Sequence, residues 1–307
     1  MGNRPPDEQN RGGRQMQIER IGTVRAALGE CPVWDAARNT LWMLDCRSGQ
    51  LMQVDPDTGA TQDWQLPAPV GSFAFNGDDD IIVALKDTFA LYRLSDGAMR
   101  SLGHIGDSHP HLRLNDGAPL PDGSFVAGTM HIHRQAGEAP LGGLYRVDLQ
   151  GKVSRIAQGL GVVNGPAMHP DGMHFHVCDS AQRKIFRYRM DAQGQLSSPE
   201  VFVDTDALGS APDGCCFDQE GGLWTALVHA AAIARFDAHG KLDRRIELPV
   251  AHPASLCFGG PGLSDIFVTT ISDSGRLSAK GPLDGALLRI RGAGAVGAPR
   301  GQCRIHP

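Results

Sequence analysis

Two hydrophobic phrases alternate along this chain. The first is an apolar residue, a turn rich in Asp and Gly, and then an apolar or aromatic run: WDAARNTLWMLD, FNGDDDIIVAL, PLPDGSFVAG, MHPDGMHFHV, FDQEGGLWTAL and FGGPGLSDIFVT. Its leading residues are Trp34, Phe75, Pro119, Met168, Phe217 and Phe258, about 41 to 49 positions apart, which is the spacing of a structural repeat. The second is an alternating run that ends in a polar turn: LMQVDPDTG, LYRLSDG, LYRVDLQG, IFRYRMDAQG, IARFDAHG and LLRIRGAG. Period-two alternation between Asp/Gly turns favours strands over helices.

Each repeat carries two hairpin signals and therefore about four short strands. Six such units predict an all-β chain, a six-bladed β-propeller with four-stranded antiparallel blades around a central channel. A β-sandwich of this length predicts no sixfold phrase. The strand near IERIGTVRA is placed to complete the last blade beside ALLRI, which would leave no open sheet edge there. Residues 1–17 are polar, rich in Gly, Pro and Arg and without periodicity, and read as a mobile tail. The propeller is expected over 18–291, and 292–307 reads as a C-terminal extension.

Counting back four residues from each leading position gives Glu30, Gly71, Asn115, Asn164, Asp213 and Ala254. In a propeller these positions open the innermost strands, so four oxygen-bearing side chains converge near the axis, with the small Gly71 and Ala254 leaving room beside them. Asn-Gly and Asp-Gly are also ordinary turn dipeptides, but Glu30 is followed by Cys-Pro, and four residues in register exceed what turns explain. Two carboxylates in a narrow channel raise one another's pKa unless a cation neutralises them. A divalent metal ion with oxygen ligands is the economical solution, with Ca²⁺, Mg²⁺ or Mn²⁺ best suited and Zn²⁺ or Fe²⁺ also compatible.

Arg113 lies two residues before Asn115 and shares its strand face. Hairpin geometry returns Met130, His131 and His133 to the same rim, where Met130 is expected to contact substrate and the loop HIHRQAGEAPLGG to act as a lid. A rival histidine site would use His169, His174 and His176. It is weaker, because His169 sits across a turn from the other two.

Composition narrows the chemistry. With 307 residues, 41% of them hydrophobic, the chain can bury one large core. A net charge of -5 without a basic stripe argues against nucleic acid or an acidic membrane as partner. No apolar run of membrane-spanning length and no secretory leader is seen, so the cytoplasm is the expected location. The seven cysteines read as reduced, mostly buried thiols. No HExxH, paired CxxC, GxSxG or Walker loop occurs, and no GxGxxG opens a helix.

ECPVWD, RLNDG followed by DGSFVAGTM, GGLYRVD, the NG of VVNGPAMHPDG, the DS of VCDSAQRKIFRY, and PDGCCFDQEGGLW together resemble the gluconolactonase, regucalcin and luciferin-regenerating enzyme family. The resemblance runs from about residue 20 to 290. It implies that Glu30, Asn164 and Asp213 hold one divalent metal ion and that Arg113 and Asn115 contact the substrate. Cys31 stands where the family usually has Gly, and Pro119 and Leu120 replace more polar residues, which bears on specificity. The implied activity is metal-dependent opening of a sugar-acid lactone such as gluconolactone, with Asp213 as general base, in a monomer or small homo-oligomer. The alternatives are a calcium-binding regulatory protein, a phosphotriesterase-like propeller hydrolase and a non-catalytic scaffold.

Overall fold

The computed structural model describes residues 15–106, 109–135 and 137–307. Its strands form six four-stranded antiparallel sheets arranged as the blades of a propeller. The innermost strands, in chain order, are Gly29–Asp35, Ser72–Phe75, Leu112–Pro119, Val163–Met168, Pro212–Phe217 and Pro253–Gly259. Every leading residue of the first phrase except Pro119 packs in the apolar layers between blades. Its Asp/Gly segment makes the hairpin turn at one end of the propeller.

Alternation within each strand sends side chains to both faces of a blade, and six apolar clusters fill the spaces between neighbouring blades. Leu114, Phe125 and Tyr145 of the third blade, for example, pack with Ile82 and Phe89 of the second. Val163, Phe175 and Val177 of the fourth meet Val126 and Leu144 of the third. The second strand of a blade is therefore buried on both faces and reads as a nearly continuous apolar run, as in Thr40–Asp45 and Asp80–Ala84, whereas outer strands such as Thr61–Gln65 are largely exposed.

The ring closes where the sequence places the closure. Gln17–Ile21 pairs antiparallel with Leu287–Arg291, Ile18 opposite Ile290, as the outermost strand of the sixth blade. Arg289, 7% exposed, ties this seam to the first blade, donating to Glu19 Oε1 at 2.6 Å and Asp57 Oδ1 at 3.0 Å. Residues 1–14 of the expected tail lie outside the described residues.

Residues beyond Gly292 cross the end that carries the hairpin turns. Ala298 N donates to Phe217 O, Cys303 N to Phe75 O and His306 N to Leu149 O, so the segment runs from the fifth blade to the second and third. Cys303 and Ile305 are buried there. Arg300 Nη2 reaches Gly117 O at 3.1 Å in an innermost strand. The extension thus covers the end of the channel opposite Glu30, Asn164 and Asp213.

All seven cysteines are free thiols, five of them buried. Among the described residues no helix is long and apolar enough to cross a membrane.

Candidate active site in the channel

The innermost strands do not pair evenly. Register shifts fall between Glu30 and Val33, Leu114 and Gly117, Asn164 and Ala167, and Pro212 and Cys215. A further shift falls between Pro253 and Ser255, around Ala254, so five of the six inner strands are broken at the equivalent position, and Ser72–Phe75, the strand after Gly71, pairs without a break. A bulge re-aims side chains that regular pleating would alternate across the sheet. Here it turns Glu30, Asn115, Asn164 and Asp213 toward the axis.

Gly71 is small for a different reason than the sequence suggests. A Cβ there would lie 2.5 Å from Asn115 O and 2.7 Å from Leu114 O. The glycine lets the backbones of neighbouring blades touch; it does not clear space for a ligand.

One hydrogen-bonded chain crosses three blades. Arg113 Nη1 donates to Asn115 Oδ1 at 2.7 Å and to Leu114 O at 2.9 Å. Asn115 Nδ2 donates to Asn164 Oδ1 at 2.6 Å and Val163 O at 2.8 Å. Asn164 Nδ2 donates to Ser180 Oγ at 2.8 Å, and Ser180 Oγ to Pro212 O at 2.7 Å, next to Asp213. Each amide is oriented by its neighbours, so Asn164 holds its oxygen toward Asn115 with one lone pair still free. The loops feeding the site are pinned as well: Asp45 accepts from Ala27 N and Leu28 N ahead of Glu30, and Asp179 from Gly161 N and Val162 N ahead of Asn164.

The carboxylates are in a contrasting state. Glu30 Oε2 and Asp213 Oδ1 are buried without a hydrogen-bond partner. Burial first, then the charges of Asp213 and Asp116, pushes the Glu30 carboxyl well above the usual range. Burial and Asp116 do the same to Asp213. Burial holds the Arg113 guanidinium below its ordinary value. Among the described residues these two carboxylate oxygens lack a hydrogen-bond partner, and carboxylate oxygens are donors that a hard divalent cation accepts.

Asp116 and Ser180 stand in the RLNDG and VCDSAQRKIFRY motifs but were given no role by the sequence reading, and Arg300 was not singled out at all. Asp116 accepts from Gly165 N and Gly117 N, both at 2.8 Å, joining the third and fourth blades beneath the site. Its signal was its place after Asn115 in RLNDG.

Met130 pairs opposite Arg113 and bridges to Val162 at the rim. His131 is buried at 3% exposure, whereas His133 is exposed. A cavity of about 270 Å³ opens between His131, Arg134, Gln135, Val162, Ala181 and Arg276. Arg276 belongs to the sixth blade's long connection and faces the third-blade loop across the mouth.

Residues 28–272 match the SMP-30/Gluconolactonase/LRE-like region, and the chain belongs to that family. It is 32% identical to the pentonolactonase XacC of Haloferax volcanii over 92% of this chain and 97% of that one. It is 30% identical to regucalcin of Gallus gallus, again over 92% and 97%. A 6-deoxy-6-sulfogluconolactonase of Pseudomonas putida is 30% identical over 87% and 91%. Among solved structures, a luciferin-regenerating enzyme superposes with a TM-score of 0.85 at 23% identity, covering 94% of this chain and all of the other. Regucalcin of Agrobacterium tumefaciens, described as a calcium-binding protein, gives 0.82 at 25% identity over 94% and 98%.

Proposed function

We propose that the chain hydrolyses a sugar-acid lactone to the free acid, with a divalent cation held by Glu30, Asn164 and Asp213. The supporting observation is the pair of buried, unpartnered oxygens, Glu30 Oε2 and Asp213 Oδ1, set beside the Arg113–Asn115–Asn164 chain. A bound cation would supply the charge that keeps both carboxylates ionised and would draw electron density from the lactone carbonyl.

The remaining work falls to the chain's own groups. Ionised Asp213 accepts a proton from the water whose oxygen bonds to the carbonyl carbon. The ring C–O bond then breaks, and the same proton passes to the departing ring oxygen. Arg113 and Asn115 hold the ring hydroxyls and the developing carboxylate, for which the guanidinium fork is well matched. Burial strips water from Asp213 and so favours proton uptake. The covered far end of the channel leaves substrate to enter past Met130 and the His131–Gln135 loop.

A calcium-binding regulatory role, as the regucalcin names describe for those relatives, would need the oxygen ligands alone. The buried guanidinium joined to Asn115 favours hydrolysis, because an arginine adds nothing to cation affinity. The test is ring opening of several aldonolactones, followed by acid release, on protein of measured metal content before and after chelation. Turnover that tracks one bound cation per chain supports the reading. Stoichiometric metal with no turnover on any aldonolactone supports the regulatory one.

A further inference from the structure

The hairpin turn of the fourth blade lies at the opposite end from Asn164. Its inner strand, Val163–Met168, turns through His169, Pro170, Asp171 and Gly172 into His174–Asp179. His169 N donates to His174 O and Gly172 N to His169 O, which sets the two histidines side by side across the turn. Asp171 Oδ2 lies 2.6 Å from His174 Nδ1 and 3.0 Å from His169 Nδ1. One donor atom from each of the three residues falls within 4.8 Å of the others. The side chains are 23%, 28% and 28% exposed for His169, Asp171 and His174, so an ion has a path from solvent.

A second observation comes from His176, two residues along the same strand and face. It is 2% exposed, and neither ring nitrogen has a partner. Its ring lies 6.2 Å from that of His169 and is walled by Phe202 and Phe217 at 4.7 and 5.1 Å. A buried imidazole with both nitrogens unpaired is costly. Nothing in the channel site accounts for it.

We propose that this turn is a second metal site, for a borderline divalent cation of the zinc class, with a ring nitrogen of His169, a carboxylate oxygen of Asp171 and a ring nitrogen of His174 as ligands and the buried His176 as a supporting group behind them. Imidazole nitrogen plus one carboxylate is the donor set such ions prefer, in contrast to the all-oxygen set around Glu30. His169 Nδ1 accepts from Asp171 N at 3.2 Å and His174 Nδ1 lies against Asp171 Oδ2 at 2.6 Å, contacts that a cation would have to rearrange. Asp171 is already ionised: burial raises its carboxyl, but hydrogen bonds from the His174 ring and the His174 and Met173 amides outweigh that and hold it well below the usual range. The ion would lock the turn to the Phe202 and Phe217 walls, and so the fourth blade to the fifth. It takes no part in the channel chemistry.

Cobalt(II) titration of chelator-stripped full-length protein tests this independently of lactone turnover. Four-coordinate cobalt with nitrogen ligands absorbs visible light strongly, whereas six-coordinate cobalt on oxygen ligands absorbs weakly. The expected result is one equivalent of strong absorption in the wild type, its loss in the His169→Ala/His174→Ala double variant, and channel metal and turnover within about twofold of wild type. His176→Phe, which fits between the phenyl rings, should weaken cobalt binding by about tenfold or more, as loss of supporting groups at metal sites does. Zinc should raise the melting temperature of the wild type and not of the double variant, and His174→Gln, a change at a partly exposed position, guards against misfolding. Weak absorption only in the wild type, strong absorption persisting in the double variant, or unchanged affinity in His176→Phe would each overturn the assignment.

Discussion

Asp213 and Asp218 lie at opposite ends of one inner segment, five residues apart, and both are buried, at 7% and 1% exposure. Their chemical states are opposite. Asp218 accepts from Arg235 Nε at 2.6 Å, Trp224 Nε1 at 2.8 Å and the amides of Gly222 and Glu220 at 2.8 and 3.0 Å. Burial raises its carboxyl, and those bonds, led by Arg235, outweigh it and hold it below the usual range. Asp213 keeps Oδ1 without a partner, and its carboxyl is pushed up by burial and by Asp116. Burial alone therefore does not mark a functional carboxylate. What distinguishes the two is whether the fold satisfies the charge, and at the turn end it does.

The largest effect expected from this contrast is on Asp213. Asp213→Asn keeps an oxygen donor and the side-chain size while removing charge and basicity. Under saturating metal, lactone turnover should stay depressed by about 10²-fold or more, the range assigned to loss of a general base, while bound metal returns to wild-type stoichiometry. Near-wild-type turnover with metal restored would reduce Asp213 to a ligand.

Asp218→Asn should act on stability and leave kcat unchanged. It removes one charge from a buried ion pair, but Arg235 retains Glu220 at 3.1 Å and Asp243 at 2.6 Å. The loss should therefore be about 1–3 kcal/mol by urea denaturation at neutral pH. The sign of its pH dependence follows from a folded value below the unfolded value of about 3.9. The contribution is complete above that unfolded value and fades as pH falls through the folded one. Wild type and variant should converge in stability as pH falls through the folded value, and a gap that widens with acid would contradict the pairing.

Asn115 sits between the two regimes, fully hydrogen-bonded but at the site end. Asn115→Ala removes the acceptor that holds Arg113 and the donor that orients Asn164. A loss of about tenfold or more in kcat/KM is expected from the freed guanidinium, with metal content near wild type. Loss of metal in this variant would instead make Asn115 a ligand.

The satisfied turn end was far more legible in the sequence than the site end. Asp/Gly turns, apolar leads and alternating runs are local, so the blades could be read from residues near one another, and the closure of Ile18 on Ile290, remote in sequence, followed from the strand that the last blade still lacked. Glu30, Asn115, Asn164 and Asp213 were found only because sixfold repetition makes their positions comparable. Asp116, Ser180 and Arg300 belong to no such register, since each acts on a blade distant from it in sequence. His169 and His174 were set aside because a turn lies between them, whereas hairpin pairing across that turn places both on one aspartate.

The smallest effect concerns Cys31, which follows Glu30 directly and stands where the resemblance leads one to expect Gly. Its backbone is left-handed, with φ of 48°, a conformation that costs a residue with a Cβ roughly 1–2 kcal/mol. Its Sγ points to Phe73 O in the second blade at 3.5 Å, and it is 2% exposed. Burial, with the Asp116 charge next, pushes the thiol up to about 12, so it stays protonated and is a poor nucleophile at neutral pH. Cys31→Gly would relieve the backbone strain but lose a buried contact and add unfolded-state entropy of about 0.5–1 kcal/mol. These terms oppose, so stability should change by less than about 1 kcal/mol and turnover by less than about twofold, measured by thermal unfolding and lactone assay. Alkylation of the native wild type at Cys31 should be undetectable by mass spectrometry at neutral pH. Rapid modification there, or a large change in turnover on replacement, would mean that the thiol reaches the channel and that the unsatisfied site extends beyond its oxygens.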